Sequence, residues 1–161
     1  MDAGAPALTC GASMTAYSFQ PTAPLASDGA ALSRVLERAG VTRTSTLRVT
    51  GPAGPMAAIW LERHGYEHAA YVHTHWIATM EPVEALLIPQ TCGTDALTGL
   101  LRGGGGLRQD GILIVQVQQD SDTLAILLRS LGFEIEQRVH EAGRQVCIAR
   151  RRGLDGFKKA A

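Results

Sequence analysis

The 161-residue chain is poor in aromatic residues, with Phe, Trp and Tyr at only 5%. Leu, Val, Ile and Ala must therefore fill its core. Cysteine is scarce as well. Cys10, Cys92 and Cys147 are odd in number and form no C-x-x-C pair. That argues against a disulfide framework and against a cysteine-rich zinc site, and it fits a reducing, cytoplasmic compartment. Net charge is absent, because 15 Lys and Arg balance 15 Asp and Glu. A whole-surface attraction to nucleic acid or anionic lipid is therefore not expected. No apolar run approaches the roughly 20 residues that span a bilayer, and the first residues lack the basic start and apolar stretch of a secretory signal.

What is present is one domain's worth of chain with an ordinary apolar fraction of 45%. Residues 1–28 are rich in Ala, Gly, Pro, Ser and Thr and read as a flexible arm, with Tyr17 and Phe19 able to fold over a pocket or a partner. Residues 29–152 carry the regular patterns. Residues 153–161 read as a tail, and the basic group Arg150, Arg151, Arg152, Lys158 and Lys159 as a solvated terminus.

Within the middle segment helices alternate with buried strands. Ser27 or Asp28 caps a helix carrying Leu32, Val35, Leu36 and Ala39, which Gly40 ends. The strand LRVT, 47–50, runs into GPAGP, 51–55, and a helix from about Met56 to His64 follows. HAAYVHTH, 68–75, reads as a second strand and EALLIP, 84–89, as a third, buried one. Thr94 or Asp95 caps the next helix, which the glycine run 103–106 breaks. Asp110-Gly111 signals a turn before the strongly apolar strand 112–117. Asp120 or Ser121 caps a helix carrying Leu124, Leu127, Leu128 and Leu131. The strand Phe133–His140 alternates apolar and polar residues, and Glu141-Ala142-Gly143 turns it into Arg144–Arg150. This order predicts an α/β, Rossmann-like three-layer sandwich, with a mostly parallel sheet closed by a C-terminal antiparallel β-hairpin.

Four stretches in this order carry a family resemblance. They are the helix-to-strand passage LSRVLERAGVTRTSTLRVTG, the loop GPAGP, the phrase LRQDGILIVQV, and the closing LLRSLGFEIEQRVHEAGRQVCIARR. Together, over residues 30–152, they resemble class I S-adenosylmethionine-dependent methyltransferases. The gap between HAAYVHTH and EALLIP is too short for that family's third strand, so the resemblance implies a sheet lacking one edge strand. It also implies S-adenosylmethionine as cofactor, cradled by Gly51, Pro52, Ala53 and Gly54. His73 and Thr74 lie at the end of the second strand, where the family places a carboxylate, and Gln90 and Thr91 lie after the third strand. Of the family's three spaced glycines only Gly51 is in phase, with Ala53 and Pro55 at the other two places. The acceptor of the methyl group is not specified. The alternative is a non-catalytic member of the fold that binds a partner or a second copy.

The residues themselves support further expectations. A loop at the carboxyl end of the first parallel strand lies at the crevice where ligands bind, and glycine lets a backbone approach them. On a strand, His73 and His75 would share one face, but no carboxylate accompanies them, so no metal site is expected. Cys92 has no histidine at a spacing that would make it a nucleophile. An unprotected edge at His68–His75 invites pairing with another chain, which predicts a homodimer.

Overall fold

The computed structural model describes residues 23–91, 93–117 and 122–152. Tyr17, Phe19, Cys10, Cys92, Asp120, Ser121 and the expected tail 153–161 lie outside them. The strands are β1 (Leu47–Val49), β2 (Ala69–Tyr71), β3 (Val83–Thr91), β4 (Leu107–Val117), β5 (Phe133–Glu141) and β6 (Arg144–Arg151). The helices are α1 (Gly29–Arg38), α2 (Gly54–Arg63), α3 (Thr94–Leu101) and α4 (Asp122–Ser130). One sheet runs in the order β2-β1-β3-β4-β6-β5. The β2, β1, β3 and β4 pairings are parallel, and β6 joins β4 and β5 antiparallel. Beyond β2 there is no further described strand, so the edge expected to be missing is missing.

Strand alternation builds two cores, one on each face. Ala85, Leu87 and Ile114 face α1 and α2, meeting Leu32, Val35, Leu36, Ala57 and Leu61. Their chain neighbours Leu86, Ile88, Leu113 and Val115 face α3 and α4, meeting Leu97, Leu101, Leu124 and Leu128. This is the three-layer sandwich. Asp28 begins α1, its carboxylate accepting the Ala31 N–H at 3.0 Å. The domain reaches upstream of the boundary expected at residue 29. Leu25 and Ala26 are buried, because Gln116 and Arg144 hold the chain there: the Leu25 N–H donates to Gln116 Oε1 at 2.6 Å, and Arg144 Nε donates to the Ala23 carbonyl at 2.7 Å. No helix among the described residues is long and apolar enough to cross a membrane.

Several expectations are corrected. The strand expected over 68–75 stops at Tyr71, and Thr74–Thr79 form a 3-10 helix instead. β2 can pair only as far as its one neighbour, and β1 ends at Val49, where the chain turns away. The last bond, Val72 N–H to the Val49 carbonyl, closes that ladder. Gly93, not Thr94 or Asp95, caps α3, and α2 starts at Gly54, with a proline in its first turn. Asp110-Gly111 is not a turn before β4 but a bulge inside it, with Asp110 at φ 62°.

The run Gly103–Gly106 is not structureless. It begins with a 3-10 turn, Arg102–Gly104, and all four glycines have positive φ. A Cβ at Gly106 would come within 2.9 Å of the Ile77 carbonyl and 3.3 Å of Arg48 Nη1, so glycine there is a packing requirement. The closing hairpin turns at Ala142 and Gly143, with φ of 50° and 75°, the signature of a type I′ turn.

Candidate ligand-binding site

Parallel strands leave a crevice beyond their carboxyl ends. Here a cavity of about 480 Å³ opens beyond β1 and β3. Thr50, Gly51 and Pro52 line it from the loop after β1, and Ile88 and Gln90 from β3. Thr74 and His75 line it from the 3-10 helix, and Gly93, Ala96, Gly99 and Leu100 from α3. Of the residues expected to bind a cofactor, the structure therefore brings together Gly51, Pro52, Thr74 and Gln90.

The other four have different places. Gly54 is buried at the start of α2, where a Cβ would lie 2.7 Å from the Tyr71 ring, so it serves helix-to-strand packing. Ala53 packs against the core. His73 is exposed beside the cavity, its ring stacked on His75 at 4.7 Å between centroids. Thr91 ends β3, and its side chain lies outside the described residues.

The loop after β1 is closed on itself. Gly54 N–H donates to the Gly51 carbonyl at 2.9 Å, and Ala53 N–H donates to Gln90 Oε1 at 2.6 Å. Pro52 and Pro55 have no N–H. The Gly51 N–H is then the loop's remaining donor. Gly51 itself sits at φ 93°, a conformation only glycine adopts without strain.

Two lining features escaped the sequence reading. Thr50 is fully buried, yet its hydroxyl has no hydrogen-bond partner in the protein. A buried, unsatisfied hydroxyl calls for a partner, and its residue is among those that line the cavity. The second feature is the small-residue face of α3: Gly93, Ala96 and Gly99 recur at spacing three. That spacing was a readable signal, as was a threonine directly before the glycine loop.

Among the described residues that line the cavity there is no Asp or Glu, and their side-chain polar groups are hydroxyl, amide and imidazole. Among the described residues no group of three or more His, Cys, Asp or Glu could hold a metal ion. His68 is exposed, and its carbonyl accepts the Leu47 N–H. Cys147 is in the core, and burial pushes its thiol up to about 11, far from a nucleophile's range.

No family model matches the sequence, and no curated protein matches it. Solved structures do match in fold. The ribosomal protein L11 methylase of Lactobacillus delbrueckii subsp. bulgaricus superposes with a TM-score of 0.60 at 13% identity, over 76% of this chain and 78% of that one. Phosphoethanolamine N-methyltransferase 2 of Haemonchus contortus, solved with phosphomonomethylethanolamine and S-adenosylhomocysteine, superposes with a TM-score of 0.52 at 13% identity. That match covers 82% of this chain and 39% of that one. The chain therefore has the class I methyltransferase fold, with no strand beyond β2 among the described residues.

Proposed function

We propose that the cavity binds S-adenosylmethionine and that the chain is a methyltransferase of this fold. The observation that carries the reading is the cavity beyond β1 and β3, lined by Thr50 and Gly51 at the carboxyl end of β1, where the Thr50 hydroxyl is buried and unpartnered. The lining residues offer hydrogen-bonding groups to the cofactor's polar parts. Thr50 and the Gly51 N–H would meet its amino-acid end. Thr74, His75 and the Gln90 amide nitrogen would meet its hydroxyls and ring nitrogens without a carboxylate. When bound, the cofactor supplies an electrophilic methyl group on sulfur. The protein's share is then to hold the two reactants in line and exclude water.

Calorimetric titration with S-adenosylmethionine and S-adenosylhomocysteine tests this. Binding of either, weakened by Thr50→Val, is the expected result. No heat with either ligand at millimolar concentration would end the reading.

A second reading, a non-catalytic binding module acting as a homodimer, draws on β2. This three-residue strand is the end of the sheet, and exposed Tyr71, Trp76 and Met80 lie on it or just after it. An open strand edge beside apolar surface is a template for pairing with a second copy. A monomer by light scattering at high concentration would remove it.

A further inference from the structure

We infer that the glycine run 103–106 and the arginines around it hold a small phosphate dianion, free or as a monoester, at the end of the sheet away from the cavity. Gly106 precedes the first residue of β4, and its carbonyl accepts the N–H of Val83, the first residue of β3. The cavity lies beyond the carboxyl ends of β1 and β3, so the two sites are separate.

The first observation is a buried cation without a partner. Arg48 is the middle residue of β1, and its neighbours Leu47 and Val49 belong to the core under α1 and α2. Its own side chain therefore points to the other face of the sheet. It reaches the glycine run there, where a Cβ at Gly106 would lie 3.3 Å from Arg48 Nη1. Only 7% of the residue is exposed, and Nη1 is buried with no hydrogen-bond partner. Burial pushes the guanidinium pKa down, and Glu81 acts through space in the opposite sense without forming an ion pair. An arginine still keeps its proton, so the charge remains. Unpaired buried charge is costly, and proteins bring an opposite charge to meet it.

The second observation is a further guanidinium on the same run. A Cβ at Gly104 would collide with the guanidinium of Arg151, whose Nη1 donates to the Leu107 carbonyl. Exposed Arg102 directly precedes the glycines. None of Arg48, Arg102 and Arg151 forms an ion pair among the described residues, whereas Arg34, Arg108, Arg144, Arg150 and Arg152 all do. Glu84, near the start of β3, is taken up by Arg108 and by the Thr46 N–H. Three cations without counter-charges thus border four glycines, in a chain whose net charge is zero. Guanidinium forks suit phosphate oxygens, and a dianion answers more than one of them. With Arg48 so deeply buried, a small phosphate reaches it and a polymer backbone does not.

Inorganic phosphate and glycerol 3-phosphate are titrated into the full chain by calorimetry and phosphorus NMR, with chloride holding the ionic strength constant. Saturable binding of one phosphate per chain is expected. Arg48→Met should weaken it about tenfold or more, and Arg151→Gln about threefold to tenfold. Arg63→Gln, at the end of α2, should leave it unchanged. Because methionine carries no charge to bury, Arg48→Met should melt no lower than the wild type in phosphate-free buffer. Tighter binding of glycerol 3-phosphate assigns the site to a monoester, and tighter binding of phosphate assigns it to the free ion. If the wild type binds neither at millimolar concentration, or if Arg48→Met binds phosphate as the wild type does, the site is overturned. If Arg48→Met does not fold, Arg151→Gln carries the test, and an unchanged phosphate affinity in it overturns the site.

Discussion

Gln90 and Ala53 are 37 residues apart, and the side-chain carbonyl of Gln90 accepts the backbone N–H of Ala53 at 2.6 Å. The end of β3 is thereby tied to the loop that follows β1, and both line the cavity. Gln90→Leu should leave that N–H without an acceptor and cost about 1–3 kcal/mol. Gln90→Glu keeps an acceptor oxygen in place and should cost less. Urea denaturation of both variants checks this, and equal losses would show that the bond does not hold the loop.

Thr50 should behave in the opposite way. Its hydroxyl is buried and unsatisfied in the free protein. Thr50→Val removes a group that costs free energy to bury, so the free protein should be unchanged or gain up to about 1 kcal/mol. Ligand affinity should fall at the same time. A loss of stability without ligand would mean that the hydroxyl has a partner inside the fold.

Cys147 gives a pH and reactivity prediction. Burial raises its thiol to about 11 from an ordinary 9.0. A raised folded value means the native state holds the proton longer than the unfolded chain does. Its contribution is full below pH 9 and is lost as pH rises from there towards 11. In a variant with Cys10 and Cys92 changed to serine, alkylation at pH 8 should be negligible in the native protein and rapid in denaturant. Fast native labelling would contradict the burial.

The hairpin turn offers a stabilising change. Ala142 has φ 50°, a left-handed conformation that costs a residue with a Cβ, and Gly143 follows it. Ala142→Asn makes the Asn-Gly pair that type I′ turns prefer, and should raise stability by about 0.5–1 kcal/mol. A lower melting temperature would show that the alanine side chain has a packing role there.

Phe133 is fully buried at the start of β5, in the core shared with α3 and α4. Phe133→Ala should cost about 3–5 kcal/mol by leaving a cavity. Chemical denaturation with an unchanged m-value would confirm that only packing was lost.

The layered sheet was legible because its signals are local. Leu32, Val35 and Leu36 repeat at helical spacing, the strand beginning at Phe133 alternates, and glycines mark the helix ends. The absent edge strand was legible too, since the stretch between Tyr71 and Val83 has no room for it. What failed depended on partners distant in sequence. His73 and His75 have side chains that a strand would accept, but β1 ends at Val49 and gives them nothing to pair with. Gly54 looks like a ligand-loop glycine, and only the Tyr71 ring beside it shows that it makes room for packing. Gly103–Gly106 looked featureless because the sequence does not show Ile77 and Arg48 pressing against Gly106.

The hold on Ala23 by Arg144 has a mechanical consequence. The described chain enters beside the first residue of β6 and leaves at Arg152, just past its last. Eight residues of strand lie between those points, roughly 26 Å. A pull applied at Ala23 and Arg152 would act along β6 rather than across it. The β4–β6 ladder would be loaded lengthwise, with its hydrogen bonds resisting together instead of opening one at a time. Single-molecule stretching should therefore meet a high initial force peak, and Arg144→Ala, which frees the entry point, should lower it.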